Sequence, residues 1–422
     1  MTSATPSATY DVIVSGGSYA GMLAALALVH QLGPDLRVAL VDRAAGPGAP
    51  TLADCRATAL SAASVNLLTA LGLWVGLEAA AEPVTAIELT DTPLAAAIRP
   101  VVMTYDNTLP DGAPASWILP NPALAAALTA AVAACPAIRV ERGAEVVRAE
   151  PTAAANTLVL GDGRRLAASL IIAADGRTSR LRDGAGIKLI GHGHAQIGIV
   201  TTINHSEAHG GRALQHFLPG GPFAVLPLAG GYRSCVTWSE DAVAAQAILA
   251  MSDDAFLAAI DLRLAGARGT LALVDGAARQ SWPLESRMAQ SFTAPRLALV
   301  GDAAHSVHPI AGQGLNLAIR DVAALVECVA DAIATGGDIG SAGVLQRYER
   351  WRRFDSSMST AAFDGLNWLF SNDTALLRAA RSAGLAAVNR VGTAKRLLVT
   401  EAAGLSGTVP KLLKPQSGRS LA

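Results

Sequence analysis

The sequence predicts an α/β chain: a parallel sheet carrying helices, interrupted by a β-rich insertion and followed by a helical C-terminal region. Three stretches carry this expectation. Near the start, Tyr10 to Val14 (YDVIV) is an apolar strand. It is followed by the small-residue turn SGGSYAG at Ser15 to Gly21, an Ala/Leu-rich helix to about Leu32, and a second apolar strand, Arg37 to Val41, that ends at Asp42. Far along the chain, Leu297 to Val300 is another short apolar strand. Gly301-Asp302 closes it, and a tight loop, His308 to Gly314, opens a long helix from about Leu315. Between the two, Gln196 to about Pro283 reads as strands and turns, with PGGP inside His216 to Leu228 as a hairpin signal and Tyr232 to Trp238 as the partner strand.

The chain has 422 residues, and a hydrophobic content of 51% is ample core for two or three folding units. A net charge of −1 gives no whole-chain case for nucleic acid. Cys55, Cys135, Cys235 and Cys328 are widely spread with no CxxC, which argues against a zinc site or disulfide framework and fits a reducing compartment. The stretch Met1 to Asp11 lacks the basic segment and apolar run of a signal peptide, and the Ala-rich apolar runs fall short of a membrane span. The expected protein is soluble or peripherally attached, on the cytoplasmic side.

The first strand, turn, helix, strand and acid form a βαβ unit of dinucleotide type. Backbone amides can approach a pyrophosphate only where side chains are small, as at Ser15, Gly17 and Ala20. Asp42 is placed to accept from a ribose hydroxyl. Ser15 stands where a glycine is usual, which a turn tolerates if φ stays negative. A ligand-free sheet turn is the competing explanation; the five features together favour the dinucleotide.

Next, Arg56 in DCRATALSAAS lies in a loop expected to open an amphipathic helix holding Leu60, Leu67 and Leu68 on its apolar side. It is either a surface cation or one that reaches a phosphate or a flavin edge. Ile87 to Tyr105 is expected to supply strands to the inserted sheet, and Asn121-Pro122 to start a helix running to about Ala134. Arg139 to Glu150 is expected as a returning strand, and Leu158 to Leu166 as a hairpin about Gly161-Asp162-Gly163. Ser169 to Asp175 is a further buried strand ending in Asp175-Gly176. The following Arg177, Ser179 and Arg182 are either solvated turn residues or face the phosphates of a passing cofactor. Helices are expected at Asp253 to Ala265 and Val344 to Thr360, and a strand at Ala278 to Leu284. His192, His194, His205, His209 and His216 lack metal-ligand spacing and are expected in loop or surface roles. Arg378 to Arg419 is basic and leucine-interspersed; lying on an anionic membrane and packing on the protein itself are equal alternatives.

Four motifs occur in order: SGGSYAG at 15–21, DCRATALS at 54–61, ADGRTSRLR at 174–182 and GDAAHSVHPIAGQGLNLAIRD at 301–321. Together they resemble the FAD-dependent aromatic hydroxylases, the class A flavoprotein monooxygenases, over nearly the whole chain. HPIAGQGLN and the segment LFSNDTALLRAARSAGLAAVNR (369–390) are similar to the ubiquinone-biosynthesis hydroxylases within that class.

The resemblance implies a Rossmann-like FAD-binding domain with an inserted mixed β-sheet substrate domain. The implied division is 1–80, 121–187 and 285–350 for FAD, 81–120 and 188–284 for substrate, and 351–422 for the C-terminal helical region with membrane-surface contact. It implies that Ser15, Gly16, Gly17, Ser18, Tyr19, Ala20, Gly21, Asp42 and Arg43 bind the ADP half, with Asp42 in place of a more usual glutamate. Arg56, Asn121 and Val146 join the cofactor set. Asp175, Ser179 and Arg182 match a motif linked to the FAD pyrophosphate and NAD(P)H. Asp302, after Gly301, matches the ribityl contact, and Gly312, Gly314, Leu315 and Asn316 would line the isoalloxazine. His308 and Pro309 lie near the flavin, and no protein acid or base is assigned.

The implied reaction uses NAD(P)H and O₂. Reduced flavin captures O₂ at C4a, and the distal hydroperoxide oxygen passes to the ring of a polyprenylated phenol in ubiquinone biosynthesis. Other quinone-biosynthesis proteins and the inner face of the bacterial membrane are the implied partners. Alternatives on the same scaffold are a hydroxylase of a soluble aromatic, a flavin-binding assembly component of the biosynthetic complex, and a reductase of prenyl double bonds.

Overall fold

The computed structural model describes residues 6–44, 46, 54–96, 99–274, 278–308, 312–370 and 399–415. Among them, strands form three sheets. The first has β1 (Ala8–Ser15) at its centre between β2 (Val38–Asp42) and β11 (Arg165–Ala173), with β8 (Ile138–Arg142) beyond β2 and β19 (Leu297–Leu299) beyond β11; these five run parallel. β18 (Thr293–Ala294) pairs antiparallel with β19, and β9 (Val146–Pro151) and β10 (Asn156–Leu160) extend from β11. Val12 to Val14, Leu170 to Ala173 and Leu297 to Leu299 are buried, as expected for strands covered on both faces. α1 (Tyr19–Leu32) packs on α8 (Gly314–Ala334), which contributes a nearly continuous buried row to the same core.

Register brings the motifs together. Ser15 pairs with both Val41 and Ala173, and Ala173 pairs with Leu299. The residues that follow these four, Gly16, Asp42, Ala174 and Val300, therefore leave the sheet along one edge.

The second sheet runs β20 (His305–Ser306), β17 (Gln280–Ala289), β12 (Leu189–His205), β15 (Arg233–Asp241), β14 (Gly221–Leu228), β13 (Arg212–Leu218), β5 (Ala86–Thr90), β6 (Val101–Asp106), with β16 (Leu271–Leu273) beside β12. One face packs Phe223, Val225, Val236 and Trp238 under α6 (Ala242–Leu249) and α7 (Asp253–Leu264). The other face is open to a cleft. The third sheet is small: β3 (Ala57–Ser61), β7 (Ser116–Pro120) and β4 (Glu82–Pro83). The chain is thus an α/β fold with the expected mixed β-sheet insertion. α2 (Ala62–Ala70), α3 (Trp74–Leu77), α4 (Asn121–Ala133), α5 (Arg180–Gly184) and α9 (Ala342–Phe370) complete the helices used below.

Several expectations are corrected. The segment after Arg56 is not yet helix: Ala57 to Ser61 pairs with β7, and Leu60 is buried on a strand. The helix starts at Ala62 because the Ser61 side chain accepts from Ser64 N and caps it. Arg139 to Glu150 is two strands, broken at Gly143, whose φ is 64°. α9 continues past Thr360 to Phe370. The histidines are not surface residues as a group. His205, His209 and His216 are buried, each with at least one ring nitrogen bonded to backbone or Ser234. No group of three or more metal-ligating side chains occurs among the described residues. Of the basic stretch 378–419, only residues 399–415 are described. No single described helix is long and apolar enough to cross a membrane.

Candidate active site

The first strand-end turn is closed by backbone. A Cβ on Gly16, whose φ is 112°, would lie 2.2 Å from Ala174 O; one on Gly21 would lie 1.8 Å from Gly16 O. A Cβ on Gly17 would lie 2.4 Å from Asp42 Oδ2. Only glycine lets β1, β2 and the turn approach so closely. Ser15 does not take a positive φ, so a serine is accommodated. Ser18 precedes α1 without a side-chain cap, leaving the helix N-terminus to face the space beyond the turn. Asp42 Oδ1 accepts from Ala44 N at 3.2 Å. Ala20 is small for a different reason: its Cβ would sit 3.2 Å from a Cβ on Gly301.

These residues border a cleft of about 710 Å³ lined by Ser15 to Tyr19, Asp42, Arg43, Asp54, Arg56, Val146, Asp175 and Arg180. Arg56 Nε and Nη2 each donate to Asp54 at 2.8 Å. Burial alone would push the Asp54 carboxyl up, but these bonds outweigh it and hold it below its ordinary value. Asp54 was not singled out in the sequence, although its spacing to Arg56 was a usable signal.

The second turn follows β11. One Asp175 oxygen accepts weakly from Leu181 N at 3.4 Å, and Oδ1 is buried without a partner. Burial raises this carboxyl. Ser179 is fully buried and caps α5, accepting from Arg182 N at 3.1 Å. Arg182 is corrected in role: it points inward. It is 2% exposed and donates to Arg177 O at 3.0 Å and Ala303 O at 3.3 Å, tying the second turn to the third. Of the second turn's arginines, the one facing the polar cleft is Arg180, paired with Glu145 at 2.7 Å.

The third turn carries Gly301, φ 58°, and Asp302, which is exposed at the cleft. Asp302, Gly312, Gly314 and Leu315 line a second cleft of about 490 Å³. Gln313 gives α8 no side-chain cap. A Cβ on Gly314 would meet nothing within 4 Å among the described residues. Asn316 is buried rather than on the cleft wall: Oδ1 accepts from Ser61 N and Ser64 Oγ, and Nδ2 donates to Ala59 O at 2.8 Å. It anchors the helix start to β3. Asn121 does line the cleft, with Oδ1 accepting from Thr58 Oγ1 at 2.7 Å. His308 is fully buried, its Nε2 3.1 Å from Gln196 Oε1. Pro309 lies outside the described residues.

The second cleft runs along the open face of the second sheet, past Ile87, Val200, Leu226 and Trp282, and Ile118 of the third. Arg56 lines both clefts, so the polar one meets the apolar one at that side chain. The β-rich insertion was expected to form the substrate wall, but none of these wall residues was singled out from the sequence, because face assignment needs the strand register.

Residues 9–357 match the family described as FAD binding domain. The chain belongs to this family of FAD-dependent monooxygenases. It is 35% identical over 409 residues to "Ubiquinone hydroxylase UbiL" of Rhodospirillum rubrum, covering 96% of this chain and 92% of the relative. It is 32% identical to the "3-demethoxyubiquinol 3-hydroxylase" of Escherichia coli, covering 94% and 98%. The fold is similar to that of the p-nitrophenol 4-monooxygenase PnpA from Pseudomonas putida, with a TM-score of 0.76 at 20% identity, covering 95% of this chain and 99% of that one. FAD is the family's cofactor, and the residues fit it: an uncapped α1 N-terminus, a glycine held on the Asp42 carboxylate, an orphaned Asp175 oxygen and open space at Gly314.

Proposed function

We propose that the chain hydroxylates the aromatic ring of a polyprenylated phenol in ubiquinone biosynthesis, with FAD as cofactor and NAD(P)H and O₂ as co-substrates. The observation that carries this is the junction at Arg56, where a polar cleft bordered by the first and second turns and the end of β2 opens into a long cleft with mostly apolar walls that the third turn joins. Such a junction suits a dinucleotide on one side and a greasy aromatic on the other. The names of the relatives support the pathway.

In this proposal the N-terminus of α1 and the glycine turn hold the pyrophosphate, and Asp42 accepts from the adenosine ribose. Arg43 and Val146 border the ADP half, Arg56 sits where the cofactor crosses between clefts, and Asp302 accepts from the ribityl chain. FAD, when bound, supplies the electron transfer from NAD(P)H and the activation of O₂ for ring oxygenation. The uncapped α8 N-terminus at Gly314 and Leu315 favours negative charge on a ring edge placed there. Arg182, Ser179 and Asn316 shape the turns from behind. The chain's own acid-base chemistry is minor: His308, pushed down to about 3 by burial and by His194, stays neutral and serves as a hydrogen-bond donor to Gln196.

A lipid-soluble substrate also favours a peripheral position on the inner face of the bacterial membrane, among other quinone-biosynthesis proteins. Phe354 and Met358 stand exposed on α9 beside the exposed Arg350 and Arg353, a combination suited to an anionic bilayer.

The test is NAD(P)H and O₂ consumption by the FAD-loaded chain with farnesylphenol in detergent micelles, with products read by mass spectrometry. The expected result is stimulated consumption and a product carrying one added oxygen. Stimulation by small phenols alone selects a hydroxylase of a soluble aromatic. Tight FAD with negligible reduction selects an assembly role, and turnover without O₂ selects a reductase.

A further inference from the structure

The sheet wall of the second cleft is mostly apolar, with Ile87, Val200, Leu214 and Leu226, and carries a polar pair at its middle. Gln215 on β13 pairs in register with Ala224 on β14, and Ala224 pairs with Thr237 on β15. Side chains on one register row of adjacent strands share a face, and all three line the cleft. Val225 and Val236, one residue along, pack on the opposite face under α6 and α7.

Most polar side chains of this cleft are already occupied. Asn107 Nδ2 donates to Val84 O and Ser116 Oγ, Cys235 Sγ to Cys55 O, and Thr58 to Asn121. Gln215 and Thr237 make no side-chain hydrogen bond among the described residues. Tyr105 is also uncommitted, but it stands on edge strand β6 and packs toward Val399 and Ala403. Gln215 and Thr237 stand on central strands, two strand spacings apart or about 10 Å, and the small Ala224 between them leaves room. An amide and a hydroxyl can each both donate and accept. Set on a sheet wall that is otherwise apolar around them, they suit oxygen substituents on a ring and nothing on a hydrocarbon tail.

We infer that Gln215 and Thr237 form a subsite that reads the oxygen substituents of the aromatic substrate, orienting the ring while the apolar wall takes the tail. This rests on the proposed hydroxylase function, whose cleft it uses. The pair acts as a specificity device: a ring lacking oxygen leaves the amide and hydroxyl unpaired when the cleft is filled.

The experiment compares farnesylphenol with farnesylbenzene, its analogue without ring oxygen. Dissociation constants for the FAD-loaded chain are read from perturbation of the flavin absorbance, with no turnover required. The wild-type chain is expected to bind the phenol at least roughly tenfold more tightly. Gln215→Leu and Thr237→Val are each expected to weaken the phenol by roughly tenfold and leave the benzene analogue unchanged, collapsing the preference. Thr237→Ser is expected to retain it, and FAD affinity is expected to hold in every variant. An unchanged phenol preference in both Gln215→Leu and Thr237→Val overturns the subsite and leaves the hydroxylase proposal standing. Equal loss of both ligands also overturns it, because that is the mark of a cleft that has lost its shape. If neither compound perturbs the wild-type flavin, the proposed function fails and the subsite with it.

Discussion

The carboxylate of Asp321 accepts a hydrogen bond from the backbone N–H of Gly301 at 3.0 Å. Asp321 is fully buried on α8, and Gly301 is the first residue of the turn that presents Asp302 to the cleft. The same Oδ2 atom lies 2.7 Å from His305 Nε2, and Oδ1 accepts from Arg352 Nε of α9 at 2.8 Å. One carboxylate therefore ties two helices to the turn and meets three polar partners, Gly301 N, His305 Nε2 and Arg352 Nε. A buried charge is tolerable only on such terms.

Removing that charge leaves the buried Arg352 with Asp355 as its remaining carboxylate and removes the acceptor that holds His305 and the turn. Asp321→Asn is expected to lower unfolding free energy by about 3 to 5 kcal/mol, measured by urea denaturation of the FAD-free chain. Burial alone would raise the Asp321 carboxyl, but His305 and Arg352 hold it below its ordinary value. A depressed carboxyl contributes stability that is present above the ordinary pKa of about 4 and is lost as pH falls through the lower folded value. The acid limb of the wild-type stability curve should accordingly be shallower in Asp321→Asn.

Gly314 offers a cleaner probe of the cofactor's place. Among the described residues nothing lies within 4 Å of a Cβ built there, and its φ is not in the left-handed region, so those residues leave room for a side chain. Gly314→Val should keep the stability of the FAD-free chain within about 0.5 kcal/mol. If the isoalloxazine approaches this helix start, the same variant should bind FAD at least about tenfold more weakly in fluorescence titration. Unchanged affinity removes Leu315 and Gly312 from the flavin site as well, since they line the same wall.

Much of this site was legible because its elements are local. SGGSYAG between two apolar strands already dictates a closed turn, and Gly301-Asp302 after Leu297 to Val300 already marks a strand end. What the sequence could not show is which way a side chain points once the turns meet. Arg182 and Asn316 carry cofactor-like motifs, yet both are turned inward because each satisfies carbonyls brought near by another segment, Ala303 for one and Ala59 for the other. Leu60 was expected on a helix, because apolar spacing alone does not separate a short strand from the helix that follows it. The buried histidines escaped notice because their partners lie on neighbouring strands or loops.

Arg182 can be tested on that distinction. As a ligand to phosphate, its loss would weaken cofactor binding and spare the empty protein. As a tie between Arg177 O and Ala303 O, its loss leaves both carbonyls short of a donor and Asp183 unpaired. Arg182→Met keeps most of the volume, and is expected to destabilise the FAD-free chain by about 2 to 4 kcal/mol in urea denaturation. Stability equal to wild type, with FAD binding impaired, would return Arg182 to the phosphates.

His308 predicts a pH dependence of its own. Gln196 Nε2 donates to Gly220 O at 2.8 Å, which turns Gln196 Oε1 toward His308 and requires Nε2 of the ring to carry the hydrogen. Nδ1 is buried with no partner among the described residues, and His194 packs edge-on at 5.0 Å. Burial, then His194, push the folded pKa down to about 3, whereas an unfolded histidine titrates near about 6.5. Between these values the unfolded chain binds a proton that the folded chain refuses, so stability must fall as pH falls through this window. The contribution is at most about 1.4 kcal/mol per pH unit. His308→Asn keeps an N–H donor and removes the titration. Its stability, measured by denaturation from pH 7 to pH 4, should decline less steeply than that of the wild type. Parallel curves would show that the His308 ring reaches a proton source in the folded chain.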